Sequence, residues 1–253
     1  MIAMTNRVGK VCALLCAAAA FFPALAQAQS GVFRVYAGLA PTSYRITLNI
    51  PGAFNATAKS NYAAANLGAT WVSPRGVYVD VSGQKSLNAK HDLWDSIGAG
   101  QQKFSRDSYT LTGGYIHVLS GGVSISGFGG YTYGKTIFDA PPGFAQSKDI
   151  FESKGIFVGA GAGVPALRGQ LSGSLAVAGM KGNQKDDAGF DIKADTTFGF
   201  SLGGAYTYKL SEALGVTADL RYQQYKYDFG TQIPGYKVTE KMTSLGVRLG
   251  YQF

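Results

Sequence analysis

The last nine residues of the chain alternate strictly between apolar side chains and side chains that are polar or small. Successive side chains of a strand point to opposite faces, so residues 245–253 are predicted to form a strand with one apolar face. Its two aromatic residues lie at the very end of the chain, which is typical of a lipid-facing strand that ends at a bilayer surface. The apolar face comprises Leu245, Val247, Leu249, Tyr251 and Phe253.

This segment resembles the last strand of the Gram-negative outer-membrane β-barrels. The resemblance rests on the C-terminal Phe253 and on the aromatic or aliphatic residues at alternate positions before it. It implies that the barrel-assembly machinery recognises residues 245–253 as an assembly signal. It also implies a location in the outer membrane of a Gram-negative bacterium.

The first 28 residues have the three parts of a secretory signal peptide. Arg7 and Lys10 form a short basic region, residues 11–22 are apolar, and an Ala-x-Ala site ends at Ala28. The apolar run is too short to span a membrane, so we predict cleavage before Gln29 rather than a membrane anchor. The sequence therefore predicts a signal peptide at 1–28 and one mature domain at 29–253.

The cysteine content restricts the chemistry of the mature chain. Both cysteines, Cys12 and Cys16, lie within the predicted signal peptide. A mature chain without cysteine excludes disulfides, thiol catalysis and cysteine metal sites.

The composition favours a membrane wall over a water-soluble enzyme. Gly accounts for 35 of the 253 residues, only 15% are charged, and the apolar residues are dispersed at alternate positions. No apolar run after residue 28 approaches the roughly 20 residues that a spanning helix needs. The formal net charge is +8, but the Lys and Arg residues are scattered and the chain is exported, so nucleic acid is not an expected partner. We expect contact with outer-membrane lipids, including lipopolysaccharide, instead.

Short turns alternate with longer polar stretches along the mature chain. Turn-sized segments occur at residues 73–76, 120–122, 165–169 and 211–213. Short periplasmic turns and longer external loops are how outer-membrane barrels are connected. The longer stretches, predicted as loops, lie near residues 51–60, 87–104, 137–153, 182–194 and 228–239.

Between these connections the sequence predicts an even number of strands with both chain ends in the periplasm. A backbone amide in hydrocarbon has no water to bond, so the sheet must close on itself. The predicted fold is all-β: a closed antiparallel up-and-down transmembrane β-barrel. Ten strands are favoured, and eight stay open as the alternative because Pro41 interrupts the first strand. The strands are predicted at residues 33–50, 61–72, 77–86, 105–119, 123–136, 154–164, 170–181, 195–210, 214–227 and 240–253.

Five charged residues have the parity opposite to the aliphatic face of their strands and are therefore predicted to point into the lumen. In the first strand the apolar face is assigned to Tyr44, Ile46 and Leu48, which directs Arg45 inward. A salt-bridged plug is favoured over a charged constriction of a narrow pore, because small barrels are filled by side chains. The predicted luminal charges are Arg45, Asp80, Asp219, Arg221 and Arg248.

No residue pattern in the mature chain indicates catalysis. His91 is predicted in a solvated loop and His117 at a membrane interface, and the Asp-x-His of the ten-stranded omptin proteases is absent. We therefore predict no enzymatic activity, no cofactor and no metal. The expected function is a structural or surface-interaction role for a largely plugged barrel, with a narrow channel for small solutes or ions as the alternative. The oligomeric state stays open.

Overall fold

The computed structural model describes residues 31–52, 54–87, 89–91, 102–139 and 147–253. The predicted signal peptide lies outside them. Among the described residues the only helical element is a single 3-10 turn, Ser120–Gly122. Within these ranges no helix is long and apolar enough to cross a membrane.

Ten long antiparallel strands form a closed barrel in which each strand pairs with its neighbours and β12 pairs with β1. This confirms the predicted ten-stranded barrel. Two three-residue strands, β4 and β9, pair with β5 and β8. The strands are β1 Val32–Ile50, β2 Phe54–Val72, β3 Val77–Ser86, β4 Ala89–His91, β5 Gln102–Val118, β6 Ser124–Asp139, β7 Lys148–Ala166, β8 Gly169–Asp186, β9 Asp191–Lys193, β10 Thr197–Lys209, β11 Leu214–Asp228 and β12 Lys237–Gln252.

The two ends of the barrel differ in their connections. The turn end carries the four predicted tight turns and both ends of the barrel wall, Val32 and Gln252. The opposite end, called the loop end here, carries the other connections. At the turn end the strand bounds agree closely with the prediction.

At the loop end the predicted loops are too long. The segment predicted as a loop at 51–60 is mostly strand, because β2 begins at Phe54 and continues the pairing with β1 up to Ile50. Likewise, β7 begins at Lys148 and β8 extends to Asp186. The outward side chains of these extensions are mostly polar. The extensions therefore lack the apolar outer face from which the strands were predicted.

The outer face changes character along each strand. In β12 the odd-numbered residues point outward throughout: Leu245, Val247 and Leu249 are exposed apolar residues near the turn end, whereas Lys241 is an exposed charge nearer the loop end. The exposed apolar residues form an aliphatic belt around the turn-end half of the barrel. A lipid-crossing strand needs about 9–11 residues, so the longer strands extend beyond the belt.

The inner face changes in the opposite sense. Near the loop end the inward side chains are apolar and buried, as at Tyr227 and Val238, whereas near the turn end they are polar, as at Asp219 and Arg248. Outside the membrane the wall has water on its outer face, so the hydrophobic effect there favours a packed interior.

This inversion overturns the assignment of Arg45. Tyr44, Ile46 and Leu48 are buried in the lumen, and Arg45 is exposed on the outer face of β1. The alternation was identified correctly, but its direction was wrong, because this part of β1 lies above the aliphatic belt. Arg45 is therefore not a luminal charge.

Candidate functional site in the barrel lumen

A layer of buried aromatic and aliphatic side chains lies in the lumen at the loop end. Tyr44 packs on Phe104 with ring centroids 5.3 Å apart, and Phe151 meets Tyr227 edge-on at 4.9 Å. Aromatic pairs in such geometries stabilise a core beyond their buried area. The layer includes Tyr44, Ile46, Leu48, Tyr62, Phe104, Phe138, Phe151, Met180, Tyr225, Tyr227 and Val238.

A buried ion pair lies within this layer. Arg106 on β5 donates from Nη1 to Oε1 of Glu240 on β12 at 2.6 Å. The two side chains are only 6% and 1% exposed. β5 and β12 are four strand steps apart in the ring, so the pair spans the lumen.

Neighbouring polar groups hold both partners of this pair. Arg106 Nη1 also donates to Thr136 Oγ1 at 2.5 Å, and its guanidinium carbon lies 5.1 Å from the centre of the Tyr44 ring. The Tyr227 hydroxyl donates to the second oxygen of Glu240 at 3.1 Å. Arg106 Nε has no hydrogen-bond partner among the described residues. Additional hydrogen bonds of this kind are what make a buried ion pair tolerable.

Sequence reasoning missed this pair, although the sequence contains a signal for it. Arg106 has the inward parity of Thr110 and Thr112 on its own strand, and Glu240 has the inward parity of Arg248. Extending those parities toward the loop end would have identified both residues. Arg106 and Glu240 lie at the first residues of the strands predicted at 105–119 and 240–253, next to predicted loops, and were not assigned to the lumen.

A second ion pair lies nearer the turn end. Arg248 Nε is 3.0 Å from Asp219 Oδ2, and the side chains are 24% and 18% exposed. The angle at this contact does not suit a hydrogen bond, so the interaction is electrostatic. Both residues were predicted to point into the lumen from strands that follow each other in the chain, and the structure brings them into contact.

Glycines on the adjacent strands make room for this pair. A Cβ at Gly246 would lie 2.6 Å from Asp219 Oδ2, and a Cβ at Gly38 would lie 2.7 Å from Arg248 Cγ. Real Cβ atoms do not approach so closely. Each charged side chain therefore lies flat across a glycine of the adjacent strand.

Asp80 is connected to the same pair through Tyr36. Thr70 Oγ1 and the Tyr36 hydroxyl donate to Asp80 Oδ2 at 2.6 Å and 3.0 Å. The guanidinium of Arg248 lies over the Tyr36 ring, 5.0 Å from its centre. The three predicted luminal charges Asp80, Asp219 and Arg248 thus belong to one network.

Arg221 also faces the lumen but stands apart from that network. It lies on the inner face of β11, with Ser244 and Gly203 as its Cα partners. It forms no ion pair and no hydrogen bond with the residues that the structure describes.

The turn-end half of the lumen contains a polar cavity of 790 Å³. A second cavity of 960 Å³ shares Asp80, Asp219, Arg221 and Arg248 with the first. Residues of the turns, such as Leu167 and Ser211, line the first cavity, so it reaches the turn end of the barrel. Its wall carries mainly hydroxyl, amide and charged side chains.

The apolar residues of the predicted assembly signal are exposed on the outer face of β12 and at the chain end. The backbone N–H of Phe253 donates to the Phe33 carbonyl at 2.8 Å. The Phe253 ring packs on Tyr251, with centroids 4.9 Å apart, and on Phe33 at 5.9 Å. The terminal residue is therefore tied to the first strand as well as to the last.

Of the two histidines of the chain, only His117 has a described side chain, and it forms no site with other described residues. His117 is exposed on the outer face of β5 and stacks with Tyr115 at 6.4 Å. The side chain of His91 lies outside the described residues. In the described part of the chain, no three His, Cys, Asp or Glu residues are grouped so that they could hold a metal ion.

A comparison with solved structures matches this chain to outer-membrane barrels. The outer membrane protease OmpT from Escherichia coli matches with a TM-score of 0.56 at 10% identity, over 88% of this chain and 96% of that chain. The translocator domain of the autotransporter NalP from Neisseria meningitidis matches with a TM-score of 0.46 at 16% identity, over 87% and 88% of the two chains. No protein-family model matches the sequence, and no curated protein matches it either.

At such low sequence identity the structural similarity shows the fold alone. The fold is that of the outer-membrane β-barrels, and with the aliphatic belt it supports an outer-membrane location. The protease activity of OmpT belongs to that protein and is not transferred to this chain.

Proposed function

We propose that the chain is a small outer-membrane barrel with a structural or surface-interaction role, whose lumen is closed at the loop end by packed side chains. The observation that carries this proposal is the Arg106–Glu240 pair, buried within an aromatic layer and spanning the lumen. A conducting pore needs a continuous path of water, and side chains excluded from water leave none at this height.

Planar bilayer recording tests the closed lumen. The mature chain, refolded in detergent, is added to a bilayer, and insertion is checked by flotation of the protein with lipid vesicles and by its shift in gel mobility on heating. We expect no discrete conductance steps from the inserted protein. Regular steps of uniform size would reject the closed lumen.

A narrow channel is the second candidate function. It is favoured by the 790 Å³ polar cavity, which occupies the turn-end half of the lumen below the aromatic layer. In this case a rearrangement of the Arg106–Glu240 pair would have to open the layer. Conductance that appears in the double variant Arg106→Ala, Glu240→Ala but not in the unmodified protein would support it.

The proposal includes export and assembly. The signal peptide is removed before Gln29, and the barrel-assembly machinery recognises residues 245–253. N-terminal sequencing of the protein from outer membranes tests the first step: the sequence should begin near Gln29, and a retained Met1 would reject it.

The proposal also includes contact with lipopolysaccharide. Arg45 on β1 and Lys241 on β12 are Cα partners, exposed on the outer face just above the aliphatic belt. This is where phosphate groups of anionic lipids would lie, and Arg binds phosphate in a bidentate manner. Lipopolysaccharide added to micelles should stabilise the unmodified barrel against unfolding more than it stabilises the variant Arg45→Gln, Lys241→Gln. Equal stabilisation would reject this contact.

A further inference from the structure

The arginines of the turn-end lumen follow a regular register along the seam of β11, β12 and β1. Arg34 is the Cα partner of Gln252, Arg248 lies on β12 itself, and Arg221 is the partner of Ser244. Their positions on β12 thus step by four residues, or about 13 Å at the usual rise of a strand. One arginine therefore occurs at each step from the mouth of the cavity inward.

The same register continues to the buried pair at the loop end. Four residues beyond Ser244 lies Glu240, which holds Arg106 at 2.6 Å. The described lining of the 790 Å³ cavity includes no residue of the aromatic layer, so this cavity lies below Arg106.

The three arginines of the cavity differ in how they are compensated. Arg248 contacts Asp219, and Arg34 donates to Gln252 Oε1 at 3.3 Å. Asp80 accepts hydrogen bonds from Thr70 and Tyr36. Arg221 is exposed to the cavity and forms no ion pair or hydrogen bond within the described residues.

An uncompensated guanidinium in a polar cavity that opens at the turn end suits an anion. Arginine donates two parallel hydrogen bonds to a carboxylate or a phosphate. A cavity of 790 Å³ is in the size range of small-molecule sites, and its hydroxyl-rich wall suits a hydrophilic ligand. We propose that the turn-end lumen is a binding site for a small oxyanion-bearing solute that enters from the turn end. Arg221 is its main contact, and Arg34 and Arg248 attract the ligand along the path.

The binding site goes beyond the structural role proposed above and depends only on the turn-end half of the lumen. Calorimetric titration of the refolded mature chain in zwitterionic detergent at low salt tests it, with inorganic pyrophosphate as the phosphate probe and citrate as the carboxylate probe. We expect saturable binding of at least one probe. A preference for one probe identifies the group that the site recognises, and no saturable binding of either overturns the proposal.

The matched control lies on the same strand. Arg221→Gln and Lys226→Gln each remove one positive charge from β11, but Lys226 is exposed on the outer face. We expect Arg221→Gln to weaken binding about tenfold or more, as expected for loss of a charge-assisted hydrogen bond, and Lys226→Gln to leave it unchanged. Equal weakening of binding by both variants would mean that only the net charge of the barrel matters, which would overturn the proposed site.

A chemical measurement tests the site even if Arg221→Gln fails to fold. The mature chain has no cysteine, and Gln223 lies two residues from Arg221 on the cavity wall. The thiol introduced by Gln223→Cys should react faster with an anionic thiol reagent than with a cationic one of the same size, and pyrophosphate or citrate should slow the reaction. Equal rates for the two reagents, without protection by either probe, would overturn the proposal.

Discussion

Arg106 Nη1 and Glu240 Oε1 lie 2.6 Å apart across the lumen, although the two residues are separated by 134 positions in the sequence and by four strand steps in the ring. The pair can form only once the barrel has closed, because β12 reaches this position through its pairing with β1. Its formation therefore reports the closed barrel.

Removing one partner of this pair should be strongly destabilising. Glu240→Ala leaves Arg106 buried and uncompensated, which costs about 3–5 kcal/mol. The double variant Arg106→Met, Glu240→Leu, which fills the space with apolar side chains, should recover most of that loss. Urea unfolding in lipid vesicles, followed by tryptophan fluorescence, measures the free energy of unfolding of both variants.

The control for this comparison is Glu212→Ala. Glu212 is exposed in the turn between β10 and β11, and a change there should alter the free energy of unfolding by less than about 0.5 kcal/mol. A loss in Glu240→Ala no larger than in this control would contradict a buried bridge.

The Asp219–Arg248 pair should contribute less, because both partners are partly exposed to the cavity. Water in the cavity screens an orphaned charge, so the coupling between Asp219→Ala and Arg248→Ala should be about 1 kcal/mol. A double-mutant cycle on the unfolding free energies measures it. Strictly additive losses would indicate that the two side chains do not interact in the folded barrel.

The aliphatic belt predicts a sharp change in tolerance along β12. Leu249→Arg places a charge on the outer face within the belt and should cost about 2–4 kcal/mol if it lies near the bilayer midplane. Thr243→Arg changes an exposed residue on the same face, above the belt, and should cost less than about 1 kcal/mol. The free energies of unfolding measured in lipid vesicles should differ between the two variants. Similar losses of stability would mean that the aliphatic belt does not end between Leu249 and Thr243.

Deleting Phe253 should affect assembly in cells more than the stability of the finished barrel. The deletion removes one backbone hydrogen bond to Phe33 and two ring contacts, all at the exposed end of the chain. The amount of folded protein in outer membranes should fall, whereas spontaneous refolding into detergent should be largely retained. A parallel loss in both assays would mean that Phe253 acts through packing alone.

Much of the fold could be predicted from alternation alone. The period of two residues is a local property of a strand, so the aliphatic outer faces of β10, β11 and β12 and their turns were identifiable without any knowledge of the partners. Closure followed from the absence of water in hydrocarbon. The contact between Asp219 and Arg248 follows from the same local parities on strands joined by one connection.

The loop-end half was decided only by the tertiary structure. Alternation does not indicate which face of the sheet meets water. Above the aliphatic belt the apolar side chains lie on the inner face, so Tyr44 points inward and Arg45 points outward. The Arg106–Glu240 pair depends in addition on the ring bringing two distant strands face to face across the lumen. The sequence by itself determined the turn-end bounds of the strands and the membrane-facing belt, because both follow from the local pattern and the solvent. The barrel register, a long-range property set by ten strands together, decided where the buried aromatic layer lies and left Arg221 without an ion pair among the described residues.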